Sequence, residues 1–118
     1  MTTAKTGFSV TGSKPVQIFS DTIADGALAV STDGLSAYKV LLVTVALGAE
    51  KTTSPTVTLD SGLGAAYDCV VNTIVITAGK YGTWQPTGEI KIAPADVLTV
   101  DVADQDTTIG VAIYCEAL

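Results

Sequence analysis

Residues 37–48 read AYKVLLVTVALG, and the way their side chains divide between two faces decides the fold. This is the most apolar run in the chain, and Lys39 is its one charge. A membrane helix needs about 20 consecutive apolar residues, more than this run holds, so a strand is the better reading. Successive side chains of a strand point to opposite faces. Strict alternation puts Leu41, Val43, Val45 and Leu47 on one face and Val40, Leu42, Thr44 and Ala46 on the other. Both faces are apolar. One meets an opposing sheet, and the second, carrying Val40 and Leu42, is expected to lie under an arm, a loop or a neighbouring subunit.

The flanking sequence repeats the strand signal in shorter form. PVQIF (15–19), ALAV (27–30), TVTLD (56–60), EIKIA (89–93) and VLTVDV (97–102) are each bounded by Gly, Pro, Asp or Ser. YDCVV and TIVIT are split by Asn72 and broken after by AGKYG, and TIGVAIYCEAL closes the chain. Parity turns Val57, Leu59, Ile90, Ile92, Leu98, Val100 and Val102 inward, and Ile109, Val111, Ile113 and Cys115 share a face. Short strands at regular spacing, with no sustained helical period, predict an all-β antiparallel sandwich in one domain over residues 15–118. Residues 1–14 are polar and rich in Gly, Ser and Thr and read as an extended N-terminal arm.

Composition narrows the function. The 118 residues carry a net charge of −6, no His, and no Arg among six basic residues. Without Arg there is no bidentate phosphate or guanine contact, and an acidic surface repels nucleic acid and anionic lipid, so neither is an expected partner. No apolar leader with a cleavage pattern opens the sequence, so synthesis in the cytoplasm is expected. Charged residues are 15% of the chain, against about 25% in ordinary soluble domains. Mean hydropathy is +0.46. A small domain has too much surface to hide that much apolar material, so association with other copies, as a homo-oligomer, is expected.

The chemistry of catalysis is missing. Absence of His removes Ser-His and Cys-His nucleophile pairs and the commonest transition-metal ligand. No catalytic, cofactor or metal site is expected, and the chain does not read as an enzyme. Cys69 and Cys115 form no CxxC and read as two buried thiols, with a disulfide open if their strands are neighbours. SGLGAAYD (61–68) lacks the last small residue of a dinucleotide fingerprint, and TAGKYGT has Tyr81 where a phosphate loop needs Ser or Thr, so both read as turns. Asp101, Asp104 and Asp106 in DVADQD could face a hard cation, but their spacing suits a solvated turn better. KYGTWQPTG (80–88) holds Tyr81 and the single Trp, Trp84. These could form a sugar platform, cap the core or contact a subunit.

The segments SKPVQIFSDTIADG, YKVLLVTVALG, SPTVTLDSG and APADVLTVDVADQDTTIGVAIYCEAL together resemble small β-sandwich virion proteins of tailed bacteriophages, among them capsid decoration (cement) proteins. The resemblance implies a jelly-roll-like fold, a place in the virion and no catalytic residues. It implies binding to the outer surface of a shell of major capsid protein, commonly as trimers at local threefold positions. Val40, Leu42, Tyr81 and Trp84 are the candidate subunit or partner contacts. A carbohydrate-binding module or adhesin using Tyr81 and Trp84, and a tail or head-completion component, are the alternatives.

Overall fold

A computed structural model describes residues 3–8 and 15–118, with Thr3–Phe8 and Pro15 described by their backbone. Ten strands follow in chain order: β1 (Thr3–Phe8), β2 (Pro15–Ile23), β3 (Leu28–Ser31), β4 (Tyr38–Thr53), β5 (Thr56–Asp60), β6 (Cys69–Thr73), β7 (Ile76–Trp84), β8 (Ile90–Ile92), β9 (Val97–Val102) and β10 (Ile109–Ala117). One sheet runs β1-β2-β10-β4-β7, with β8 on the same edge of β4 as β7. The other runs β3-β9-β5-β6. All pairings are antiparallel. Leaving β1 and β8 aside, β2-β10-β4-β7 facing β3-β9-β5-β6 is the jelly-roll order, two interleaved Greek keys. The expected all-β sandwich is therefore observed. Of the segment read as an arm, residues 1–2 and 9–14 lie outside the described residues, and Thr3–Phe8 pairs with β2 from Thr3↔Ser20 to Phe8↔Pro15.

Side-chain parity builds the core. On β10, Ile109, Val111, Ile113 and Cys115 are buried and alternate with half-buried residues. They meet Val57 of β5 and Leu98, Val100 and Val102 of β9 from the opposite sheet, all buried as expected. Phe19 and Tyr38 close one side of this core edge to face, with ring centroids 5.6 Å apart.

Two local departures from simple strands matter. The register of β4 on β10 runs Val43↔Ile113, Leu42↔Tyr114 and then Val40↔Cys115. Leu41 has no partner, so β4 carries a β-bulge there. Cys115 and Ile113 both point inward on an unbroken β10, so their partners three residues apart on β4 must do so too. Parity flips at the bulge. Val40, expected on the outer face, is a core residue at 2% exposure, alongside Tyr38, Val43, Val45 and Leu47.

The second departure is β7, which runs straight through the AGKYG segment expected to be a turn. Ala78 takes a φ of +47° and its N–H donates to Thr52 Oγ1 at 3.0 Å. The β4–β7 register skips between Ala46 and Lys51 at this kink, and β4 itself continues to Thr53. The strand is bent, not ended. Ile74 and Ile76 fold over Gly82, where a Cβ would come within 2.7 Å of Ile74 Cγ2.

Candidate functional site

The surface that stands out is the outer face of the larger sheet. Its residues are fixed by the register with their buried neighbours. One row crosses four strands as Thr22, Gly110, Ala46 and Tyr81. The next reads Ser20, Ala112, Thr44 and Thr83. The third reads Ile18, Tyr114 and Leu42, all half-buried. Across β2, β10, β4 and β7 these three rows contain no charge. The following row brings charge back with Glu116 beside Lys39. There Lys39 Nζ lies 3.6 Å and Lys91 Nζ 3.2 Å from Glu89, whose carboxyl is held below its ordinary range by the Lys91 hydrogen bond and the charges of both lysines.

The centre of the face is sunken because Gly110, Ala112, Ala46 and Gly48 bring no side chain beyond Cβ. Two adjoining shallow depressions of ≈ 430 Å³ and ≈ 450 Å³ result, and Tyr81 lines the second. Tyr81 stands 74% exposed. Methyl, methylene and hydroxyl groups make up most of this surface, and the Asp21 carboxylate, which accepts from the Thr22 N–H at 2.8 Å, lines the first depression. It offers apolar and small side chains to bury against another protein.

The candidate contacts divide as follows. Leu42 and Tyr81 share the outer face. Val40 is in the core and has no surface to offer. Trp84 pairs with the buried Val43 and packs half-buried against the core, while Tyr81 pairs with the exposed Ala46. An odd spacing of three along a strand puts Tyr81 and Trp84 on opposite sides, so they form no common platform. The packing of Trp84 against the core is the arrangement that the core-cap reading expects.

Other motifs resolve by position. Cys69, expected to be buried, is exposed on the edge strand β6, while Cys115 is buried on β10 in the other sheet, and both thiols are free. Burial, helped by the charge of Asp33, pushes the Cys115 thiol up to about 12. Burial also raises the Tyr38 phenol, whose O–H donates to Asp33 Oδ2 at 3.0 Å. Asp104 and Asp106 come together with Asp25, their carboxylate oxygens within 4.8 Å of one another, whereas Asp101 faces outward on β9 beside Ala29 and Thr56. Asp25 was invisible to local spacing because it arrives from the β2–β3 connection. The Asp106 N–H donates to Asp104 Oδ1 at 2.9 Å, as in a solvated turn, and all three side chains are exposed. Among the described residues no helix is long and apolar enough to cross a membrane.

No family model and no curated protein matches this chain. Among solved structures, the crystal structure of the bacteriophage CBA120 tailspike protein 4 enzymatically active domain is similar at a TM-score of 0.36 and 16% identity, over 96% of this chain and 17% of that one. The chain thus spans under a fifth of the length of the structure it matches.

Proposed function

We propose that this chain is a structural protein of a bacteriophage virion, and within that class a capsid decoration protein. It binds the outer surface of a shell of major capsid protein, acts as a homotrimer and performs no chemistry. The observation that carries this reading is the outer face of the larger sheet, whose three central rows across β2, β10, β4 and β7 bear no charged residue. Monomeric proteins rarely leave such a face to water, and flat surfaces of this kind suit contact between subunits. Jelly-roll sandwiches serve in viral capsid and lectin domains alike. The fold alone does not choose between these. The separation of Tyr81 from Trp84 favours the structural reading, because a sugar site would want them side by side. A protein that binds only the assembled lattice stabilises it by mass action, in proportion to RT ln(1 + [L]/Kd).

The test uses shells assembled from the major capsid protein encoded in the same genome as this chain. Purified chain should sediment with the shells at a fixed ratio and raise their melting temperature. A genome without a capsid protein, or shells that leave the chain in the supernatant, would sink the reading. Recovery with isolated tails instead of heads would move it to the tail-component alternative.

A further inference from the structure

One end of the sandwich carries apolar side chains that stand exposed among the described residues. β3, β9 and β5 lie side by side and antiparallel, so the loop leaving β3 (32–37), the turn entering β9 (93–96) and the loop leaving β5 (61–68) emerge together. They present Leu35 at 79% exposure, Leu63 at 77% and Tyr67 at 62%. These are among the most exposed large apolar side chains in the molecule.

The loops that hold them are braced. The Ala95 N–H donates to Gly34 O at 2.9 Å, joining the first loop to the turn. Asp96 joins the turn to the third loop: its Oδ1 accepts from the Gly62 N–H at 2.8 Å, and its Oδ2 from the Ala93 N–H at 3.2 Å. Asp68 Oδ1 accepts from the Ser61 N–H at 2.8 Å, closing the third loop on itself. Gly62 sits so close to Ala95 that a Cβ there would come within 2.9 Å of the alanine methyl. Leu63 and Tyr67 are therefore presented on a backbone whose ordering cost is met by the fold. Pre-organised anchors of this kind retain more of their contact energy on binding.

The same aspartates set the charge. Asp33, Asp60, Asp68 and Asp96 lie within or at the borders of these loops, which contain no Lys, while Lys39 and Lys91, two residues beyond the first loop and before the turn, lie against Glu89. An apolar tip with a carboxylate rim complements a surface of apolar sockets edged by Lys or Arg. It repels anionic lipid and nucleic acid. The opposite end of the same sandwich bears the Asp25, Asp104 and Asp106 cluster, so end-to-end stacking of copies would set acid against acid.

The geometry points to this loop end as the surface that docks on the capsid subunit, with Leu35, Leu63 and Tyr67 as anchors in apolar sockets edged by basic residues. This rests on the capsid reading above, and leaves the outer sheet face free to join copies of the chain to each other. The double variant Leu63→Ser, Tyr67→Ser removes two anchors that are already in water, so its thermal midpoint and oligomeric state should equal those of the parent. Its affinity for capsid shells in a sedimentation titration should fall roughly thirtyfold or more, as for loss of a contact hot spot. Asp60→Asn should flatten the salt dependence of shell binding.

Parent and variant binding shells equally well would overturn the docking assignment while leaving the capsid reading standing. A parent that ignores shells overturns both. A variant that changes oligomeric state in the absence of shells would assign the loops to contacts between copies. Parent sedimenting with phosphatidylcholine vesicles, and the variant not, would assign them to a lipid surface. Either result also overturns the proposal.

Discussion

Cys69 and Cys115 show how much a residue's chemistry depends on its place. The usual burial of free cysteine had put both inside, but Cys69 sits on an edge strand where solvent reaches it. A thiol reagent should label one cysteine per native chain and two in denaturant. Cys115 also links stability to alkali. Its thiol titrates near the ordinary value of 9.0 when unfolded and at about 12 when folded. A raised value means the folded state keeps a proton that the unfolded chain releases. The contribution is fully present below about pH 9 and is lost as pH climbs to about 12, by an amount on the order of 4 kcal/mol. Cys115→Ala should be less stable at neutral pH because of the cavity it leaves. It should also lose less stability than the parent between pH 9 and 12 in denaturant titrations. An equal loss in both proteins would show that the thiol is not responsible. Gly82 gives a second residue-scale expectation. A methyl there meets Ile74 and Ile76 at 2.7 and 2.8 Å, so Gly82→Ala should cost about 1–3 kcal/mol through overpacking. Chemical denaturation measures it, and an unchanged midpoint would mean that the β6–β7 connection yields without strain.

Among the elements, β4 carries the main lesson. Its existence and its apolar character on both faces are plain in residues 37–48. Its bulge is not, because a bulge belongs to a pair of strands, and only the unbroken alternation of β10 forces it. The same holds for β7. The glycines looked locally like a turn, but pairing with the far half of β4 keeps the segment extended through a kink at Ala78, whose φ is +47°. The bulge makes a sharp contrast between two residues that simple alternation treats alike. Val40→Asp places a charge in a dry core and should cost about 4 kcal/mol or more, enough to unfold much of the chain. Leu42→Asp lies on the half-open outer face and should cost about 1 kcal/mol in the isolated protein. Circular dichroism with urea titration separates them. Equal costs would mean that the parity flip at Leu41 is absent in solution.

At the scale of the whole molecule, spacing and parity were enough to specify a two-sheet sandwich, because inward-facing apolar residues recur on nearly every strand. The strand order was not readable, since it depends on long-range pairings that no local pattern encodes. The candidate face was half-readable: Leu42 and Tyr81 were found, and the trough of Gly110, Ala112, Ala46 and Gly48 was missed because small residues look featureless in a sequence. That trough decides whether the face can serve as a subunit contact. The three uncharged rows cross four strands at about 4.8 Å spacing and run over five residues of β10, Gly110 to Tyr114, at about 3.4 Å per residue, roughly 19 by 17 Å, about 300 Å². A standard interface buries about 800 Å² per partner, so these rows can supply its apolar centre, with the surrounding polar and charged residues as rim. Ala112 lies at the middle of the rows, half-buried between Ser20 and Thr44. Ala112→Lys would raise an ammonium out of the trough on a long stem that reaches water in the isolated chain, so the fold should survive with its melting point within a few degrees. Facing another copy, the same ammonium and the Asp21 carboxylate that lines this depression would both be taken out of water, a desolvation cost that opposes association. Light scattering should therefore give a trimer for the parent and a folded monomer for Ala112→Lys at the same micromolar concentration. A parent that is already monomeric, or a variant that still associates, would show that copies do not meet through this face.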